Sequence, residues 1–118
     1  MSAKELILYQ TQDGREPFTQ WRKGLKDRVT VARIDRRLER VAEGHYGDFR
    51  PLDEGILELR LFFGPGYRIY FAEDGDKLIV LLCGGDKGSQ KRDISAAIAC
   101  WKEYLNSKDE AEAEEDRP

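Results

Sequence analysis

The sequence predicts an α+β domain: a small twisted antiparallel β-sheet with an N-terminal helical hairpin and a C-terminal helix packed on it. Three observations lead there. Apolar residues recur at helical spacing between Pro17 and Val41. The period then changes, and Ile56–Phe63, Tyr67–Glu73 and Leu78–Cys83 read as strands joined by the turn signals Gly64-Pro65-Gly66 and Asp74-Gly75-Asp76. After Ser89 the helical period returns through Ile94, Ile98, Trp101 and Leu105. The order is β-α-α-β-β-β-β-α, without an internal repeat.

Each element has a local reason. Glu5–Gln10 (ELILYQ) is a short strand followed by the polar turn Thr11–Arg15. Pro17 suits a helix start, Phe18, Trp21 and Leu25 form one apolar stripe, and Gly24 ends that helix. Asp27 is placed to cap the next helix, which buries Val31, Ile34, Leu38 and Val41 and stops at Gly44. Phe49–Asp53 is a further short strand. Leu78–Cys83 is apolar throughout, as a central strand covered on both faces must be. Ser89 is the expected cap of the last helix.

A chain of 118 residues holds one core, here residues 1–107, and residues 108–118 read as a disordered acidic tail. The formal charge of −3 hides an asymmetry. The tail contributes −4, so the body is at +1, and Arg15–Arg40 carries nine Lys/Arg against four Asp/Glu. No run is apolar enough for a membrane span or a signal peptide, which makes the cytoplasm the expected location. Cys83 and Cys100 lack Cys-x-x-Cys spacing, and the single histidine, His45, completes no metal set. Both thiols are expected to act as small hydrophobes, and no metal or cofactor is implied.

The residues that carry chemistry lie between Leu57 and Asp93. With a three-residue loop at Gly64–Gly66, Leu57, Leu59, Leu61 and Phe63 share a core face with Tyr67, Ile69 and Phe71. Glu58, Arg60 and Phe62 then share the other face with Arg68, Tyr70 and Ala72. Arg60 and Arg68 become diagonal cross-strand neighbours, each beside an aromatic, an arrangement suited to a phosphodiester with a stacked base. The alternative is that Arg60 pairs with Glu58 and tidies the sheet surface. In GGDKGSQKRD, two glycines permit close backbone approach, Lys87, Lys91 and Arg92 bring charge, and the helix start near Ser89 offers free N–H groups. The P-loop spacing is absent. Arg33, Arg36, Arg37 and Arg40 face away from the core of their helix. They form either a solvated surface or one that contacts phosphates or a partner.

The segments ELRLFFGPGYRIYF and LIVLLCGGDKGSQKRDI resemble the RelE/HigB-type toxins of bacterial toxin–antitoxin modules, more narrowly the phage-derived addiction-module killer proteins. The resemblance extends over residues 4–105. It implies an endoribonuclease that cuts mRNA, generally on the ribosome, without a metal, and is neutralised by an adjacently encoded antitoxin, expected to be a helix-turn-helix protein. By that resemblance Arg68 stabilises charge on the scissile phosphate and Lys87 stands beside it. Arg60 and Lys91 complete the expected catalytic set, while Arg92, Phe62, Tyr70 and the four arginines of the second helix are expected to bind RNA. No tyrosine or histidine for proton transfer matches near the C-terminal helix, where Asp93 stands. The same superfamily contains ParE-like proteins that inhibit DNA gyrase without cutting RNA, and relatives that have lost toxicity. These are the alternatives.

Overall fold

The computed structural model describes residues 3–115. Its longest strand, β5 (Leu78–Asp86), lies inside the sheet, second from one edge. Ile79, Val80, Leu81 and Leu82 are buried in turn, because both faces of the sheet are covered. β1 (Glu5–Leu8) flanks β5 on one side; β4 (Tyr67–Asp74), β3 (Leu57–Leu61) and β2 (Phe49–Pro51) follow on the other. β2 through β5 are antiparallel, whereas β1 runs parallel to β5. The sheet is therefore mixed, a correction to the wholly antiparallel expectation. The short apolar run in ELIL marks a strand but carries no information about direction. β1 occupies the open edge of β5, and the helices that follow carry the chain to the far edge at β2.

Those helices are α1 (Pro17–Gly24) and α2 (Arg28–Ala42). Proline starts α1, and Asp27 caps α2 by accepting from the Val29 amide at 3.1 Å and the Thr30 hydroxyl at 2.9 Å. A two-pronged contact fixes the hairpin: Arg22 Nε donates to Asp35 Oδ1 at 2.9 Å and Nη2 to Oδ2 at 2.6 Å. Phe18, Ile34, Leu38 and Val41 pack on Leu59, Leu61, Ile69, Phe71, Ile79 and Leu81. The opposite face lies under α3 (Gln90–Glu115), where Tyr70, Ala72, Val80, Leu82 and Cys83 meet Ala97 and Trp101. Three layers result, helices on both sides of one sheet.

A bulge tunes this sheet. Tyr70 pairs with Cys83 but Phe71 pairs with Leu81, which leaves Leu82 between. Leu82 and Cys83 consequently both turn toward α3. Beyond the bulge, Gly84 and Gly85 belong to the strand and not to a loop, contrary to expectation. A Cβ at Gly84 would overlap the Trp21 ring, and one at Gly85 would overlap Asp93 and Ser89.

Two further expectations change. Asp86, not Ser89, caps the C-terminal helical segment. Its carboxylate accepts from the amides of Gly88 at 2.8 Å and Ser89 at 3.2 Å, and the Ser89 hydroxyl accepts from its amide. A single 3₁₀ turn, Lys87–Ser89, sits ahead of α3 and moves the cap three residues back. The acidic tail continues α3 as helix to Glu115, because Ala and Glu are strong helix formers. Lys108 donates to Asp74 Oδ1 at 2.7 Å, and residues 116–118 lie outside the described part. No helix among the described residues is long and apolar enough to cross a membrane.

Candidate anion-binding site

On the face covered by α3, the sheet carries two adjacent polar rows. Arg50, Glu58, Tyr70 and Cys83 are register partners across β2, β3, β4 and β5. Two residues further along, Arg60 stands directly opposite Arg68, which pairs with Gly85. The register places Arg60 and Arg68 opposite and not diagonal, because the β3–β4 loop has five residues, Phe62–Gly66, in place of three. The shift is two residues, so every side chain keeps its predicted face. Positive φ at Gly64 and Gly66 closes that loop.

Opposed arginines at roughly 4.5–5.5 Å between Cβ atoms repel each other and need a counter-charge. Glu58 supplies one. It is wholly buried; its Oε2 lies 4.0 Å from Arg68 Nε and its Oε1 3.5 Å from Arg50 Nη2. Tyr70 donates its hydroxyl to Glu58 Oε2 at 3.0 Å, and Gln90, in the first turn of α3, donates to the same oxygen at 2.9 Å. Burial, then the bond to Glu58, raises the Tyr70 phenol far above its ordinary value, so it remains a donor.

One carboxylate, shared by Arg50 and Arg68, leaves guanidinium donors unpaired. Arg68 is 6% exposed and donates Nη1 to the Gly66 carbonyl at 2.8 Å, yet its Nε is buried without a hydrogen-bond partner. Arg60 Nε is in the same condition. The Arg60 guanidinium carbon lies 5.3 Å from the Phe62 ring centroid, and Phe62 is 73% exposed. A Cβ at Gly66 would lie 3.3 Å from Arg68 Nη1 and 3.5 Å from Lys87 Cβ, so Lys87 stems from the edge of the pair. Lys87, Lys91 and Arg92 are exposed. Asp93 sits over Gly85, beside Arg68, and accepts from the Ser89 hydroxyl.

The structure thus brings together Arg60, Arg68, Lys87 and Phe62. Lys91 and Arg92 follow on the exposed first turn of α3. Tyr70 is fully buried and cannot stack on a base; its work is to hold Glu58. The α2 arginines do not join the site, because α2 lies on the other face of the sheet. Arg37 is structural: it donates to the carbonyls of Tyr46 (3.0 Å), Asp48 (2.8 Å) and Arg60 (2.9 Å), tying the loop before β2 to β3. Burial lowers its pKa from the usual arginine value. Arg33 lies over Phe63, and Arg36 and Arg40 are exposed. Strand alternation already put Glu58 on the arginine face, although its role as the shared anchor was not legible. Arg50 and Gln90 left no signal, the first in a strand too short to show alternation and the second in a helix start.

No family model matches the chain. A curated protein of Haemophilus influenzae, described as an uncharacterized protein, is 41% identical over 80 residues, covering 68% of this chain and 81% of that protein. Identity of that extent, over most of the relative's length, places the two chains together: this protein belongs to the same family as that Haemophilus influenzae protein.

Proposed function

We infer that the protein is the toxin of a type II toxin–antitoxin pair, an endoribonuclease that cuts mRNA on the ribosome in the cytoplasm and halts translation. One observation carries the reading: Arg60 and Arg68 oppose each other with both Nε groups lacking a partner. Two guanidinium groups so placed concentrate positive charge at one point of the sheet, which suits an RNA phosphate; the Nε groups are buried, so the partly exposed Arg60 is the member a phosphate meets. The sequence resemblance to RelE/HigB-type toxins supports the same chemistry.

In that reaction the 2′-hydroxyl gives its proton to solvent water as its oxygen attacks the adjacent phosphorus, and the P–O5′ bond breaks. The products are a 2′,3′-cyclic phosphate and a 5′-hydroxyl, and the reaction calls for no metal. Arg60 and Arg68 neutralise the doubly charged phosphorane, where fixed donors act most strongly. Glu58 and Tyr70 hold Arg68 in place. Lys87 or Lys91, at the rim, protonates the leaving 5′-oxygen. Phe62, exposed beside Arg60, offers a ring on which a base stacks. A helix-turn-helix antitoxin encoded next to this chain would neutralise it.

The burial of Arg68 favours a second reading, in which the ion cluster is structural and the chain binds gyrase in the manner of ParE-like proteins. Expression followed by mapping of cellular mRNA 5′ ends separates the two. New cuts that vanish with Arg60→Ala support the nuclease. DNA breaks with intact mRNA remove it.

A further inference from the structure

The outer side of α2 and the projecting end of α3 carry matching stripes of opposite charge. On α2, Val29 is followed at four and seven residues by Arg33 and Arg36. On α3, Leu105 is followed at four and seven residues by Asp109 and Glu112. Val29 (62% exposed) and Leu105 (37%) are the large hydrophobics that these two helices leave in solvent among the described residues. At about 1.5 Å per residue, each aliphatic side chain is followed by charges about 6 and 10.5 Å along its helix. Laid parallel, the stripes oppose Val29 to Leu105, Arg33 to Asp109 and Arg36 to Glu112. Laid antiparallel, they set an aliphatic side chain against a charge.

Both surfaces are available. Val29, Ala32, Arg33 and Arg36 line a shallow cleft with Arg28. Arg33 stacks its guanidinium carbon 5.0 Å from the Phe63 ring centroid, and among the described residues neither it nor Arg36 forms an ion pair. On α3, Leu105, Asp109 and Glu112 are exposed, and the small Ala113 flanks the stripe. Within one chain the stripes cannot meet, since α2 and α3 pack on opposite faces of the sheet.

We propose that the cleft on α2 receives the acidic end of α3 from a second copy of this chain, in a parallel helix–helix contact made reciprocally across a two-fold axis. The contact is weak and sensitive to salt, because its charges are exposed and screened. It is independent of the phosphate site and stands or falls without it.

The test is a pair of charge reversals. Arg33→Glu/Arg36→Glu makes both stripes acidic, and Asp109→Arg/Glu112→Arg makes both basic. Molar mass is measured by light scattering across protein concentration, at low and at half-molar salt, with circular dichroism to show that each variant is folded. The wild-type protein should dimerise at low salt and dissociate at high salt. Each variant alone should associate at least about tenfold more weakly, and their equimolar mixture, in which both contacts are complementary again, should recover dimers. A monomeric wild type, dimers unaffected by either reversal, or a mixture that stays monomeric overturns the proposal. A monomeric wild type whose RNA affinity falls with Arg33→Glu/Arg36→Glu assigns the α2 face to nucleic acid instead.

Discussion

Glu58 and Arg68 form the hinge of the polar cluster: the carboxylate is wholly buried, the guanidinium nearly so, and their closest N···O approach is 4.0 Å. The gap is too long for a hydrogen bond. Glu58 therefore balances Arg68 electrostatically without occupying the Nε donor. Its own hydrogen bonds go to Tyr70 and Gln90.

Because the pair is buried, removing one charge exposes the other. Glu58→Gln keeps an acceptor for Tyr70 but leaves Arg50 and Arg68 without their shared anion. Urea titration should show a loss of about 1–3 kcal/mol, and Glu58→Ala, which also strands the Tyr70 hydroxyl, about 3–5 kcal/mol. A Glu58→Ala protein as stable as the parent would contradict the anchoring role.

Arg37 separates structural from surface arginines on one helix. Arg37→Ala frees the carbonyls of Tyr46, Asp48 and Arg60 and should cost about 3–5 kcal/mol, taking about 1.5 kcal/mol for each hydrogen bond to a charged group, the low end of the usual range. Arg37→Lys should recover less than half of that, since an ammonium cannot span three carbonyls in a planar fork. Arg36→Ala and Arg40→Ala, on the exposed side, should stay within about 0.5 kcal/mol of the parent.

Gly84 lies against the Trp21 ring with no space for a methyl group. Gly84→Ala should destabilise by about 1–3 kcal/mol through forced displacement of Trp21, visible as a shift in tryptophan emission and a lower urea midpoint. Gly24→Ala, where nothing lies within 4 Å, is the control and should be neutral or slightly stabilising.

Burial pushes the Cys83 thiol from 9.0 up to about 12. In the unfolded chain the thiol ionises near its ordinary value, so folding holds it neutral. The stability this contributes is complete below about pH 8.5 and is lost as pH rises through the folded value. Tyr104, raised from 10.0 to about 12 by burial and its bond to Asp74, acts in the same direction. Stability should therefore fall from about pH 9 upward, and Cys83→Ala should flatten the early part of that fall. A thiol reagent at pH 8 should leave Cys83 unmodified until the protein unfolds.

Much of this was legible in residue spacing. The element order, the Asp27 cap, the start at Pro17 and the two faces of the central hairpin follow from periodicity and turn chemistry. The exact pairing did not, because GPG reads as a three-residue loop while Phe62 and Phe63 also leave the strands. Face assignment survived because the slip was even. The parallel β1, the bulge at Leu82 and the burial of Tyr70 depend on contacts between distant segments, which local pattern does not encode. The tail was misread for another reason: its charge suggested disorder, while its Ala and Glu content favours a helix.

The central claim is that the Arg60–Arg68 pair neutralises a phosphate undergoing cleavage. The most direct measurement incubates the purified protein with translating ribosomes and identifies the ends of the cut message. The account predicts fragments with 2′,3′-cyclic phosphate and 5′-hydroxyl ends, formed with a chelator present. It also predicts that Arg60→Ala, folded by circular dichroism, cuts about 10²–10³-fold more slowly. Uncut message at every concentration, or cleavage at the parent rate by folded Arg60→Ala, would contradict it.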